Sequence, residues 1–224
     1  MKVKDITDKV IRFEFIKRNL DFFKGENKEF VNEYGINSSN VIDLASFDFN
    51  TNIFYGFEIK SARDNLKRLK KQLSNYLTFF NIIYIVAYDR HLEGIEEILN
   101  ENRVFDKVGI ILVDKDLNFK EYKQAKLYKP FYDKFIKNLD MEELRCLCES
   151  KGLNPLGSKN SLVSQLKRLT KLEEIYEGIH NKLKRYHVKH CAKCGSNLYY
   201  NKLEFGNKRS YCYECGSIIP EFLV

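Results

Sequence analysis

The sequence predicts an α/β fold: a mixed sheet flanked by helices, followed by a small helical hairpin and a cysteine-bearing module. Three observations lead there. Apolar residues recur at helical spacing in two early segments. Short apolar or alternating runs that read as strands lie between and after them. Four of the six cysteines stand as two C-x-x-C pairs near the C-terminus. The 224 residues are 44% hydrophobic and 14% aromatic, enough for a packed core, which excludes disorder as the dominant state. No run approaches the ~18 uninterrupted apolar residues of a membrane-spanning helix. The segment MKVKDITDKVIRFEFIK has no signal-peptide apolar core. A soluble, cytoplasmic protein without a membrane partner is expected.

Residues 1–135 read as the α/β core. Ile6, Val10, Phe13 and Leu20 share one helical face, which predicts a helix over residues 6–21. KEFVNEYGI reads as a strand. NVIDLASF and IFYGFEIK are two extended runs separated by DFNTN, whose Asp, Asn and Thr favour a turn, so an antiparallel hairpin is expected. Leu66, Leu69, Leu73, Tyr76, Leu77 and Phe80 predict a helix over 64–80, with Asp64 as its N-cap. IIYIVAY (82–88) and VGIILV (108–113) are buried strands around a helical HLEGIEEILNEN. Residues 136–186 form a second region. Asp140 with Glu143 resembles a capping box, Gly152 ends that helix, and Ser158 caps a second one, KNSLVSQLKRL; a charged helix or linker follows. Residues 187–224 carry the cysteine pairs.

Alternate side chains of a strand share a face, so Glu58 and Lys60 project together while Phe57 and Ile59 point the other way. Asp43 lies in the neighbouring run, with Ile42 and Leu44 opposite. Hairpin pairing brings Asp43 and Glu58 to one edge of the sheet. Two adjacent carboxylates suit a hard divalent cation such as Mg²⁺ or Mn²⁺, and a nearby lysine can position or deprotonate a water or neutralise developing charge. The plain alternative is a Glu and a Lys forming a simple pair on an exposed strand face.

Asp43 followed fifteen residues later by Glu58-Ile59-Lys60, then a helix carrying Gln72 and Tyr76, resembles the PD-(D/E)xK nuclease superfamily over about residues 5–115. The resemblance implies a restriction-endonuclease-like mixed sheet and metal-dependent cleavage of DNA. Asp43 and Glu58 would hold the metal, Lys60 would assist the water, and Gln72 would complete the site. Ile42 stands where the superfamily name has proline. The usual extra acidic residue has two candidates, Glu33 and Glu14, of which Glu33 is favoured. Many nucleases of this fold cut two strands as dimers, so a homodimer is compatible with the resemblance.

Cys191-x-x-Cys194 and Cys212-x-x-Cys215 are seventeen residues apart, a spacing typical of four-thiolate zinc sites; Gly195 and Gly216 permit the tight turns. With hairpin strands between them, they resemble a zinc ribbon. Four cysteines leave zinc no open position, so the ion would be structural. His187 and His190 precede the first pair and read as surface or phosphate-contacting groups. Cys146 and Cys148, two apart on a helix, read as buried small residues.

The hairpin LDMEELRCLCESKGLNPLGSKNSLVSQLKRL resembles the SAP motif, a two-helix DNA-binding module, through Leu144, Leu147, Gly152, Leu153, Gly157, Lys159, Leu162 and Leu166. That resemblance would put Lys151, Lys159, Lys167 and Arg168 at the phosphate backbone. A purely structural or protein-docking helix pair is the alternative. The net charge of +7 favours a polyanionic partner, and residues 136–224 hold 15 Lys/Arg against 10 Asp/Glu. Three functions follow as expectations: an Mg²⁺-dependent deoxyribonuclease with accessory DNA-binding modules, a non-catalytic DNA-binding adaptor on a nuclease-like scaffold, or an RNA-binding or RNA-cleaving protein, since nothing in the sequence reads the 2′-hydroxyl.

Overall fold

The computed structural model describes residues 6–19, 23, 28–37, 40–130, 136–137, 139–169, 199–204, 207–212 and 218–219. The chain forms two compact units, Met1–Ile179 and His180–Val224. The first is mixed α/β. Its elements are α1 (Asp8–Arg18), β1 (Lys28–Asn37), β2 (Asn40–Asp48), β3 (Ile53–Lys60), α2 (Leu69–Tyr76), β4 (Ile82–Tyr88), α3 (Leu92–Glu101), β5 (Val108–Val113), β6 (Phe119–Lys123), α4 (Met141–Ser150) and α5 (Lys159–Leu169).

The six strands lie in sequence order, β1-β2-β3-β4-β5-β6. β2 and β3 pair antiparallel, as the turn-rich DFNTN predicts, and β1 pairs antiparallel with β2. β3, β4 and β5 are parallel, because α2 and α3 return the chain to the same end of the sheet each time. β6 adds antiparallel to β5. The sequence pattern does not reveal β6: FKEYK is short, mostly exposed and largely charged, so it lacks an apolar period.

Burial of both sheet faces follows from alternation on β3. Phe57 meets Phe15 of α1, and Phe23 beyond the end of that helix, at 5.4 and 5.5 Å between ring centroids. Phe54, three residues earlier, faces the other way, against Phe79 and Phe80 at 5.4 and 4.7 Å. Gly56 shares the face of Phe54, and a methyl there would come within 2.6 Å of Ile42 Cδ1 and 2.9 Å of the Phe80 ring. That close approach lets β2 and the α2–β4 turn close over β3.

Two helix boundaries differ from expectation. α1 runs 8–18 inside the expected 6–21, with Thr7 as N-cap accepting from Val10 N at 3.4 Å. α2 runs only 69–76 rather than 64–80. Asp64 is not its N-cap: its carboxylate grips Ser61 N and Oγ at 2.7 and 2.6 Å, and Arg68 occupies the cap without a side-chain bond. Asn and charged residues over 63–68 can form turns as readily as helix, so apolar spacing alone overran the true start.

α4 and α5 form the expected helical hairpin. Asp140 and Glu143 make a complete capping box, and Gly152 takes a positive φ of 66° after the last turn of α4. Ser158 Oγ accepts from Ser161 N at 3.3 Å at the start of α5. Leu144, Leu147, Cys148, Leu162 and Leu166 are buried. The Tyr34 hydroxyl on β1 donates to Glu143 Oε1 at 3.0 Å, which ties the hairpin to the sheet. Among the described residues no helix is long and apolar enough to cross a membrane. In the second unit, β7 (Tyr199–Glu204), β8 (Asn207–Cys212) and β9 (Ile218–Ile219) form a small antiparallel sheet. Cys191, Cys194, Cys215, His187, His190 and the expected helix or linker over 171–186 lie outside the described residues.

Candidate active site

The candidate site lies at the C-terminal end of β3, which stays paired with β4 through Lys60 while its pairing with β2 ends at Phe57. Glu58 and Lys60 are both buried on the α2 face, and Lys60 Nζ donates to Glu58 Oε1 at 2.5 Å. An ion pair this dry is unlike a solvated surface pair. Gln72, in the first turn of α2, donates from Nε2 to the same Glu58 oxygen at 2.7 Å, and its carbonyl oxygen accepts from Lys60 Nζ at 3.3 Å. Tyr76, four residues on and so on the same helix face, puts its hydroxyl 2.6 Å from Glu58 Oε2 and 3.0 Å from the Val41 carbonyl. Burial, then the neighbouring Glu58 charge, raise the Tyr76 pKa far above its usual value, so Tyr76 is a neutral donor.

Asp43 arrives differently from the simple hairpin picture. The β2–β3 ladder runs from Asp48↔Ile53 to Leu44↔Phe57 and stops. Beyond it the Asp43 side chain replaces the backbone: Oδ2 accepts from Ile59 N at 2.7 Å. The expected alternation, with Ile42 facing away from the acid pair, does not hold. Ile42 instead closes over Gly56, on the face that carries Glu58, because β2 has left the regular ladder there. The Asp43 pKa is pushed up to about 7, first by burial and then by the Glu58 charge; the Ile59 N–H, Lys60 and Arg12 only partly offset this.

Arg12, on α1, is an addition that the sequence motifs do not supply. It is buried, donates to the Asp43 carbonyl at 3.0 Å and reaches Glu33 Oε1 at 3.2 Å. The sequence offers one signal, a charged residue between Ile11 and Phe15 on the helix face that packs on the sheet. Glu33 therefore touches the site only through Arg12. It is exposed and takes a positive φ of 57°, a conformation disfavoured for side chains other than glycine. Glu14 pairs with Arg18 at 3.6 Å. Asp43, Glu58, Lys60 and Gln72 are thus brought together, with Tyr76 and Arg12 added.

The oxygen donors fit a hard divalent cation. Each carboxylate oxygen has two lone pairs. Glu58 Oε1 is filled by Lys60 and Gln72, while Oε2 keeps one direction beside Tyr76. Asp43 Oδ1 has no hydrogen-bond donor among the described residues, so it is open to a ligand, and the nearby Glu58 charge, which adds to burial in raising the Asp43 pKa, is one that a cation would offset. Two protein carboxylates with several waters suit Mg²⁺. No group of three or more His, Cys, Asp or Glu able to hold a metal occurs among the described residues. Of the expected phosphate contacts, Lys151 precedes Gly152 at the turn after α4, Lys159 opens α5, and Lys167 and Arg168 lie in its last turn.

The protein family described as Bacteriophage P4 protein cII matches residues 2–205. The chain belongs to that family. No curated protein matches it. Among solved structures, SPO1766, a protein of unknown function from Silicibacter pomeroyi, is similar at 12% identity over 66% of this chain and 93% of that one, with a TM-score of 0.41. Within this member of the cII family, the buried acid–lysine group is the feature with the clearest chemical use.

Proposed function

We propose that this cII-family chain is a divalent-metal-dependent deoxyribonuclease that hydrolyses phosphodiester bonds. The observation that carries this reading is the convergence of Asp43, Glu58, Lys60 and Gln72 in one buried polar group at the end of β3, with the charge of Glu58 opposing ionisation of Asp43. Asp43 and Glu58 would hold Mg²⁺ or Mn²⁺, whose chemistry is to polarise a phosphodiester and lower the pKa of a bound water. Lys60 has three protons; Glu58 and Gln72 engage two, and the third can orient a water or meet charge developing on phosphate. Gln72 and Tyr76 fix the Glu58 carboxylate so that its orientation is set before any ligand arrives. Arg12 holds the Asp43 backbone, and Glu33 holds Arg12. Lys151, Lys159, Lys167 and Arg168 on the hairpin would contact DNA phosphates, and a homodimer is compatible with double-strand cleavage.

The test is incubation of the full chain with supercoiled, linear, branched and single-stranded DNA in Mg²⁺ or Mn²⁺. Metal-dependent nicking that disappears in Asp43→Ala is expected. If no substrate is cut, or the variant cuts as well as the parent, the non-catalytic adaptor becomes the better reading.

We further propose that Cys191, Cys194, Cys212 and Cys215 hold one structural Zn²⁺ in the second unit. In support, Cys212 pairs with Tyr199 at the end of the β7–β8 hairpin, and a sheet this small cannot bury an adequate core by itself. Elemental analysis of the purified chain is expected to find one zinc per chain, and zinc removal to abolish the β7–β8 amide protection seen in hydrogen exchange. A zinc-free chain with intact protection refutes the assignment.

A further inference from the structure

The segment joining the two halves of the acid–lysine group is itself strongly basic. Residues 61–71, between Lys60 on β3 and Gln72 on α2, contain Arg63, Lys67, Arg68, Lys70 and Lys71 against the single acid Asp64. All five cations are exposed. Lys70 lies 3.4 Å from Glu101, but none of the other four has a carboxylate partner among the described residues.

A charge run is usually only a solvated face, but this one is mounted on a fixed frame. Asp64 Oδ2 accepts from both Ser61 N and Ser61 Oγ, which pins the start of the segment. His91, which is buried, meets the Ser61 carbonyl through Nε2 at 2.8 Å, and Arg90 reaches the Asp64 carbonyl at 3.5 Å. Leu69 is fully buried, and Leu66 lies against Gly94 of α3. These anchors hold the backbone while the cations stay in solvent. α3 sets a boundary: its Glu93 and Glu97 are exposed, so a polyanion is accepted along the segment and repelled beyond it.

We infer that Arg63, Lys67, Arg68 and Lys71 form a phosphate-binding track that leads the backbone of a DNA strand to Asp43, Glu58 and Lys60. This rests on the deoxyribonuclease reading for the identity of the polyanion, but it concerns binding rather than cleavage. Lysine and arginine at this density neutralise phosphates without reading bases, so the track predicts affinity that is independent of sequence and steep in salt.

The experiment measures binding of a labelled random-sequence DNA duplex to the full chain in EDTA, where cleavage cannot interfere, across a salt series. Three proteins are compared: the parent, a loop variant (R63Q, K67Q, R68Q and K71Q together) and a hairpin variant (K151Q, K159Q, K167Q and R168Q together). Thermal melts establish that each is folded; the loop positions are exposed, so the parent melting temperature is expected in the loop variant. Every phosphate that is no longer neutralised by a cation of the protein lowers the slope of log K against log salt by about 0.9. The loop variant is therefore expected to show a slope shallower by about 2–4 and to bind at least about tenfold more weakly at moderate salt. A loop variant that keeps the parent slope, or a parent without DNA affinity, overturns the inference. A parent that binds through the loop but never cuts DNA in Mg²⁺ or Mn²⁺ would instead sink the nuclease reading and leave the track standing.

Discussion

Asp43→Asn is expected to melt higher than the parent at pH 8 in EDTA, and the gap is expected to close as the pH falls to about 4. The folded-state pKa of Asp43, about 7, lies well above that of an unfolded aspartate. Below the unfolded value both states are protonated and the group contributes nothing. As pH rises from about 4 to about 7 the unfolded chain ionises first, so the parent loses stability across that window and stays lower above it. The gap at pH 8 is expected to be a few kcal/mol at most, because water reaches this half-buried side chain and screens its charge. Asparagine keeps an oxygen for the Ile59 N–H while removing the charge that faces Glu58. Mg²⁺ should reverse the order at pH 8, raising the melting temperature of the parent by mass action and leaving Asp43→Asn unmoved. Melts at pH 4 and 8, with EDTA or Mg²⁺, decide it. A parent that gains stability relative to the variant as pH rises in EDTA, or that ignores Mg²⁺, would contradict a cation site at this acid pair. The readout needs no substrate, so it stands apart from any assay of cleavage.

Legibility of the sequence tracked how local each signal is. Strands β3, β4 and β5 were readable because IFYGFEIK, IIYIVAY and VGIILV are short, rich in β-branched or aromatic residues and bounded by turns, and at six to eight residues they suit strands better than helices. The capping box of α4 was readable because Asp140 and Glu143 act on each other within one turn. The grouping of Glu58 and Lys60 was readable through strand alternation, whereas Gln72 was placed beside them only by the nuclease resemblance. Arg12 and the departure of Asp43 from the β2–β3 ladder were not readable. Arg12 reaches Asp43 across 31 positions, and no periodicity encodes where β2–β3 pairing stops beyond Leu44 or that Ile42 then lies over Gly56. Asp64 shows the converse error: a residue type suited to helix capping served a turn three residues back.

Glu58→Ala is expected to destabilise the first unit by about 3–5 kcal/mol, and adding Lys60→Met to Glu58→Met is expected to restore most of the stability. Removing Glu58 alone strands the Lys60 ammonium, which is 6% exposed and keeps only the weaker hydrogen bond to Gln72. An uncompensated buried charge carries about that penalty. The Tyr76 hydroxyl is less affected, since the Val41 carbonyl at 3.0 Å can take its proton. Replacing both charges with apolar groups of similar size removes the desolvation cost along with the attraction, and such exchanges are often neutral or stabilising. Chemical denaturation of the parent, Glu58→Met, Lys60→Met and the Glu58→Met/Lys60→Met double variant closes the cycle, with Glu58→Ala measured beside it. A Glu58→Ala penalty under about 1 kcal/mol would show that water already screens the pair and that the site is too wet to serve as proposed. Recovery in the double variant, by contrast, means that a less charged strand end would fold as well. The pair is then retained at this position for the chemistry it presents, since the fold does not require it.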